Sequence, residues 1–184
     1  AHPQLQGNLA EQLEQIQLRV SRELGRARLA GEVLPGSYFD CAAELPALFE
    51  TLRMIHRREL DLSWHAGEDC HLPWDREDML ELLGNLLDNA CKFARSQVRL
   101  DIAQTPDGYL MQIDDDGPGI PEARRDAVLE RGVRLDERAE GHGLGLGIVR
   151  DILAAWNGEL MLTSSDLGGL RAQVRLPART RGDG

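Results

Sequence analysis

The strongest constraint on what this chain can fold into is the run Asn85-Leu86-Leu87-Asp88-Asn89-Ala90-Cys91-Lys92. Asn85, Asn89 and Lys92 recur at i, i+4 and i+7, so on a helix they share one face. Leu82, Leu83, Leu86, Leu87 and Ala90 form the opposite, apolar stripe, which can anchor the helix in a core. A polar face held inside a protein costs free energy unless something satisfies it. An amide oxygen beside a lysine suits a metal ion carried by phosphates, and a phosphate-bound Mg2+ is the natural filler.

Two glycine-rich segments follow. An alternating strand over residues 109–113 runs into Asp114-Asp115-Asp116 and then Gly117-Pro118-Gly119-Ile120. Further on, Gly141-His142-Gly143-Leu144-Gly145-Leu146-Gly147 opens an apolar helical run of Ile148, Val149, Ile152, Leu153, Ala154 and Trp156. Glycines at every second position remove side chains where backbone amides must approach a ligand, and a helix N-terminus offers unpaired N–H groups and a positive dipole end to an anion. A glycine-rich turn by itself is more often only a turn. The order of asparagine helix, acidic glycine loop and glycine-rich helix start is far more specific, and it points to a nucleotide.

In that order the motifs resemble the ATP-binding domain of bacterial sensor histidine kinases, in the superfamily that also holds type II topoisomerases, Hsp90 and MutL. Asn85-x-x-Asp88-Asn89-Ala90-x-Lys92 resembles the N box, Asp115-x-Gly117-x-Gly119 the first glycine box, and Gly141-x-Gly143-x-Gly145-x-Gly147 the second. The resemblance implies an α/β fold, a Bergerat-type two-layer sandwich of a mixed sheet and about three helices, preceded by one dimerisation-type helix. It implies ATP and Mg2+ as cofactors.

Composition fits that reading. With 42% hydrophobic residues, 184 residues can bury one full core plus an appendage. A net charge of -10 argues against a nucleic-acid partner, which needs a basic stripe. Cys41, Cys70 and Cys91 lack metal-ligand spacing and cannot all pair with one another, which favours a reduced, cytosolic chain. No run approaches the roughly 18 apolar residues of a membrane span. The expectation is a soluble fragment, the cytoplasmic portion of a bacterial inner-membrane sensor.

Leu9, Leu13, Ile16, Val20, Leu24 and Ala27 make a narrow, coiled-coil-like seam that ends at the breakers Gly31, Pro35 and Gly36. A surface helix packing on its own domain is the blander alternative. Residues 1–34 are read as the second helix of a dimerisation and histidine phosphotransfer hairpin plus linker, without its first helix. Residues 35–178 form the ATP-binding domain, and residues 179–184 a disordered tail. Within the domain, Leu45, Leu48, Phe49, Leu52 and Ile55 have helical spacing. Further helices are expected over 75–94 and 144–156, and strands near 59–64, 97–104, 109–114, 159–164 and 169–176. A mobile segment is expected near 121–141.

Asn89 is the expected Mg2+ ligand, with Asn85 as a further candidate, and Lys92 or Arg95 would neutralise phosphate charge. Asp115 would accept a hydrogen bond from the adenine amine, while Asp114 and Asp116 alternate away as strand-end surface charges. Gly117 and Gly119 let the backbone bend beneath the base, beside Ile120. The resemblance makes Arg131 and Arg134 lid arginines that close over the triphosphate, with Gly141, His142, Gly143, Leu144, Gly145, Leu146 and Gly147 ending the lid and capping the phosphates. The family commonly has phenylalanine where Leu129 stands, which removes the aromatic packing of the lid but not its charge.

Superfamily members that hydrolyse ATP carry a glutamate four residues before the metal-binding asparagine. This chain has Asn85 there, and an amide cannot act as a general base. A phosphate donor awaiting an outside nucleophile fits, and in sensor kinases that nucleophile is a histidine on the first dimerisation helix. Neither His2 nor His56, His65 or His71 has an acceptor context. The expected partners are ATP, a response regulator and, in the full-length protein, a second copy in a homodimer. A stand-alone serine kinase or anti-sigma module, and a nucleotide-binding domain without chemistry, remain as alternatives.

Overall fold

The computed structural model describes residues 38–130 and 145–179, all within one compact unit. The seam of residues 9–27 lies outside the described residues. The described residues begin with a short strand β1 (Phe39–Asp40), then helix α1 (Cys41–His56), β2 (Asp61–Ala66), β3 (His71–Leu72) and helix α2 (Arg76–Phe93). The hairpin β4 (Gln97–Thr105) and β5 (Gly108–Asp115) leads to α3 (Glu122–Leu129), α4 (Gly145–Ala155), β6 (Glu159–Ser164) and β7 (Leu170–Pro177).

Each long helix starts where its sequence supplies a cap. Asp40 accepts from the Ala42 and Ala43 N–H groups at 3.1 and 3.3 Å, which satisfies donors at the start of α1. Asp75 does the same for α2, accepting from Glu77 and Asp78 at 2.9 and 3.2 Å. Helix α1 ends at Arg57, in the left-handed region with φ 46°. It buries Cys41, Leu45, Phe49 and Leu52 at helical spacing.

The main sheet has the order β2-β4-β5-β7-β6. Strand β2 runs parallel to β4 and every other neighbour is antiparallel, so the sheet is mixed, as expected. Alternation sends Leu62, Val98, Leu100, Ile102, Met111, Ile113, Leu162, Ala172, Val174 and Leu176 to one face, where all are buried. Helices α1, α2 and α4 pack together on the sheet. Trp74, just before α2, meets Tyr109 and Trp156 with ring centroids 5.5 and 5.6 Å away.

Three features depart from the sequence reading. Residues 122–129, where the sequence suggested no helix, form α3, so the described domain has four helices rather than about three. Its apolar contribution is small, since only Val128 is buried. Side-chain contacts hold it instead: Arg125 donates to the Ile120 carbonyl at 3.0 Å and to Ser164 Oγ at 2.9 Å, and Arg150 of α4 donates to the Leu129 carbonyl. A second, two-stranded sheet pairs β1 with β3, which no local pattern announces. Finally, β2 starts at Asp61 rather than Glu59, because its ladder with β4 begins at the pair Asp61–Gln97.

Candidate nucleotide site

Helix α2 turns its buried stripe, Met79, Leu82, Leu83, Leu86, Leu87, Ala90 and Cys91, into the core. Glu81, Asn85, Asp88 and Asn89 are left half-buried on the other side. The Asn85 amide nitrogen donates to the Glu81 carbonyl at 2.7 Å, which orients its oxygen outward. That oxygen lies 3.0 Å from where a β-carbon on Gly145 would sit, so the asparagine helix and the start of α4 meet at this point. A side chain there would press on the amide, which would have to give by a few tenths of an ångström.

Asn89 is one turn further on, and among the described residues its amide has no hydrogen-bond partner. An unengaged amide oxygen beside Asn85 is a fitting hard donor for Mg2+ whose remaining coordination comes from phosphates and water. No cluster of three or more His, Cys, Asp or Glu side chains that could hold a metal occurs among the described residues. Lys92 is exposed and pairs with Asp88 Oδ2 at 3.0 Å, while His56 Nε2 meets Asp88 Oδ1 at 2.8 Å. Asp88 thus ties α1 to α2 and engages the lysine expected to face phosphate.

Asp115 ends β5 on the helix-covered face and is buried. Its Oδ1 accepts from the Gly117 N–H at 2.9 Å and from the Leu170 N–H at 3.2 Å. Burial pushes the carboxyl above its ordinary value; these two N–H groups pull against that shift, and neighbouring Asp116 and Asp114 add to it. Around it the backbone closes in. A β-carbon on Gly117 would lie 2.3 Å from the Phe93 carbonyl oxygen, and Gly119, at φ 69°, rests against Gly169. Ile120, half-buried, follows in the same loop.

Gly169 is the residue that the sequence reading passed over. A β-carbon there would fall 2.6 Å from the Gly117 nitrogen and 2.2 Å from Asp115 Oδ1. The only signal in the sequence is the pair Gly168-Gly169 in a turn, which has many explanations.

The neighbouring carboxylates are not free surface charges. Asp114 points to the outer face yet is fully buried, held by Arg171 Nε at 2.8 Å and Arg99 Nη2 at 3.5 Å from the two flanking strands. The three residues are direct cross-strand partners, so the arginines cover the carboxylate from both sides. Asp116 folds back on the turn between α2 and β4, accepting from the Arg95, Ser96 and Gln97 N–H groups at 2.8, 3.0 and 3.1 Å. Burial opposes its ionisation, but these bonds and one from Ser96 Oγ hold it well below the usual carboxylate range.

Gly145, Leu146 and Gly147 form the first turn of α4, with Gly147 buried. Arg131, Arg134, Gly141, His142, Gly143 and Leu144 lie outside the described residues. The structure therefore brings Asn85 of α2 against the start of α4, and gathers Asp115, Gly117 and Gly119 with Gly169 at the end of β5.

Residues 74–180 match the family described as histidine kinase-, DNA gyrase B-, and HSP90-like ATPase. The chain belongs to this family. It is 61% identical over 180 residues to the sensor protein kinase CarS of Pseudomonas aeruginosa, covering 98% of this chain and 40% of that protein. It is 32% identical over 169 residues to the virulence sensor histidine kinase PhoQ of Salmonella typhimurium, covering 90% and 35%. The chain thus spans two fifths or less of the length of these curated relatives. The solved structure of the mycobacterial sensor histidine kinase MprB superimposes with a TM-score of 0.67 at 25% identity, over 78% of this chain and 97% of that one. The ATP-binding domain of PrrB from Mycobacterium tuberculosis gives 0.64 at 27% identity, over 78% and 98%. Within the HSP90-like ATPase family, the chain is the ATP-binding catalytic domain of a sensor histidine kinase. No helix among the described residues is long and apolar enough to cross a membrane.

Proposed function

We propose that this domain presents Mg-ATP for γ-phosphoryl transfer to a histidine outside the chain, from which the phosphoryl group passes to a response regulator of the PhoP kind. The observation that carries the reading is Asn85: the position four residues before Asn89 holds an amide, anchored to its own helix at Glu81 and facing the start of α4. An amide there can orient phosphate and metal but cannot deprotonate water. The triphosphate is kept for another nucleophile.

The roles follow from chemistry and position. Asp115 reads the adenine amine, Gly117, Gly119 and Ile120 shape the base pocket, and Asn89 holds Mg2+ with Asn85 in support. Gly145, Leu146 and Gly147 offer N–H groups at the start of α4 to the phosphates, with Gly141, His142, Gly143 and Leu144 leading into them, and Arg131 and Arg134 close over the triphosphate. Lys92, held by Asp88, contributes positive charge at the edge. Bound Mg2+ neutralises phosphate charge during transfer. Residues 1–34 supply the second helix of a dimerisation hairpin in a homodimeric, membrane-anchored parent whose catalytic part faces the cytoplasm.

The test mixes the purified chain, Mg-ATP labelled at the γ-phosphate, and a separately expressed hairpin carrying the missing helix and its histidine. Acid-labile, base-stable label on the hairpin is the expected result. Label on a serine, or ATP binding with no transfer to either partner, would favour the serine-kinase or the non-catalytic reading respectively.

A further inference from the structure

Cys41 and Cys70 meet away from the nucleotide site. Cys41 is the first residue of α1 and is buried, and half-buried Cys70 immediately precedes β3. The register that pairs Phe39 with Leu72 and Asp40 with His71 sets Cys41 opposite Cys70 at the next step, where the Cys41 N–H donates to the Cys70 carbonyl at 3.1 Å. Opposed residues of an antiparallel pair hold their α-carbons roughly 4.5–5.5 Å apart. A disulfide spans α-carbons about 4.4–6.8 Å apart, a range that includes the spacing of such opposed residues. The sulfurs are already 2.8 Å apart, with Cys41 Sγ donating to Cys70 Sγ.

The two thiols are unequal. The hydrogen bond from Cys41 holds Cys70 below its ordinary thiol value against the opposing effect of burial, and His71 adds to the lowering. Cys41 is shifted up by that same bond and by burial. The third cysteine, Cys91, is buried near the end of α2, and burial pushes it up to about 11.

We propose that Cys41 and Cys70 are an oxidative modification site, a dithiol that a hydroperoxide converts reversibly to an intramolecular disulfide. The Cys70 thiolate attacks the peroxide, an S–O bond forms as the O–O bond breaks, and the alkoxide leaves and takes up a proton as an alcohol. Cys41 sulfur then attacks Cys70 sulfur. The S–S bond forms, the S–O bond breaks, and hydroxide leaves with the Cys41 proton as water. Two thiols lose two electrons and the hydroperoxide gains them; a small dithiol reverses the bond by exchange. The new bond closes residues 41–70 into a loop and restricts the unfolded chain, so the melting temperature rises by several degrees. None of Asn85, Asn89 or Asp115 bonds to either cysteine, and ATP affinity stays within about twofold.

The experiment treats the reduced chain with tert-butyl hydroperoxide, denatures it, alkylates the remaining thiols and maps them by mass spectrometry. The expected result is alkylation at Cys91 alone, a peptide pair joined through Cys41 and Cys70, and recovery of all three free cysteines after dithiothreitol. Cys91→Ser should still cross-link. Cys70→Ser should not, and because Cys70 is half-buried this variant serves if Cys41→Ser fails to fold. Three alkylated cysteines after treatment, a link involving Cys91, chains joined to each other, or accumulation of sulfinic acid at Cys70 would each overturn the proposal.

Discussion

Gly169 and Asp115 are in such close contact that a β-carbon on Gly169 would lie 2.2 Å from Asp115 Oδ1. Gly169→Ala must therefore push the β6–β7 turn away from the carboxylate. ATP affinity is expected to fall at least tenfold, about 1.4 kcal/mol. Gly67→Ala, with nothing within 4 Å of the added carbon, serves as the neutral comparison. Isothermal calorimetry on both variants checks this; equal affinities would remove the contact from the site.

Asp115→Asn keeps the shape but sets a donor against the adenine amine. Loss of a charge-assisted hydrogen bond worth roughly 1.5–3 kcal/mol lowers ATP affinity by about 10- to 150-fold. The pH dependence has two signs. The folded-state value is raised, mainly by burial, so ionised Asp115 opposes folding: its contribution improves as pH falls through the raised value toward 3.8 and worsens as pH rises through it. Base recognition runs the other way, since a protonated carboxyl is a poorer acceptor. The ratio of wild-type to Asn-variant affinity should shrink on acidification, and taking the ratio cancels the titration of ATP itself. A ratio that is constant with pH would exclude Asp115 as the base reader.

Asn89→Ala should remove most of the Mg2+ dependence of ATP binding. In the wild type, chelation of the metal weakens ATP binding, whereas the variant should bind with nearly equal strength with and without Mg2+. Fluorescence titrations with a labelled ATP analogue measure both. A full Mg2+ response in the variant would move the ligand role elsewhere.

The chain alone should bind ATP yet neither hydrolyse it nor label itself, since Asn85 cannot activate water. Thin-layer separation of labelled phosphate over several hours reads turnover, and gel autoradiography reads labelling. Robust turnover, or label on His56 or His65, would place the nucleophile inside this domain.

Asp114→Ala leaves Arg99 and Arg171 facing each other without the buried carboxylate between them. The expected destabilisation is about 1–2 kcal/mol, because Arg99 keeps Asp101, Arg171 keeps Asp166 and both arginines reach solvent. Urea unfolding measures it. A change below about 0.5 kcal/mol would mean that the arginines simply turn to solvent.

What could be read from sequence was what is written locally. Helix α2 announces itself by a 3.6-residue apolar period behind the cap Asp75, and β5 by alternation over residues 109–113. Helix α3 has one buried residue and depends on its own Arg125 reaching Ser164 and on Arg150 of α4 reaching Leu129, so its period carries little signal. The same limit hid Gly169. Its role lies in its approach to Asp115, a residue from a different strand far earlier in the chain. Asp114 misled for a related reason: its outward direction was correct, but its burial comes from arginines on two other strands.

Asp114 and Asp115 are neighbours on opposite faces, one clamped between strands by arginines and the other set on the helix-covered side, and the pairing frame of β5 decides which is which. A slip of one residue would move every side chain of β5 to the opposite face, taking Asp114 away from its arginines and Asp115 off the helix-covered side. The frame is set at the other end of the strand. Gly108 pairs with Thr105 across the turn, and a β-carbon on it would strike the Leu176 carbonyl oxygen at 2.0 Å. Under the role proposed for Asp115, adenine selectivity rests on the alignment of a hairpin turn at the far end of the strand.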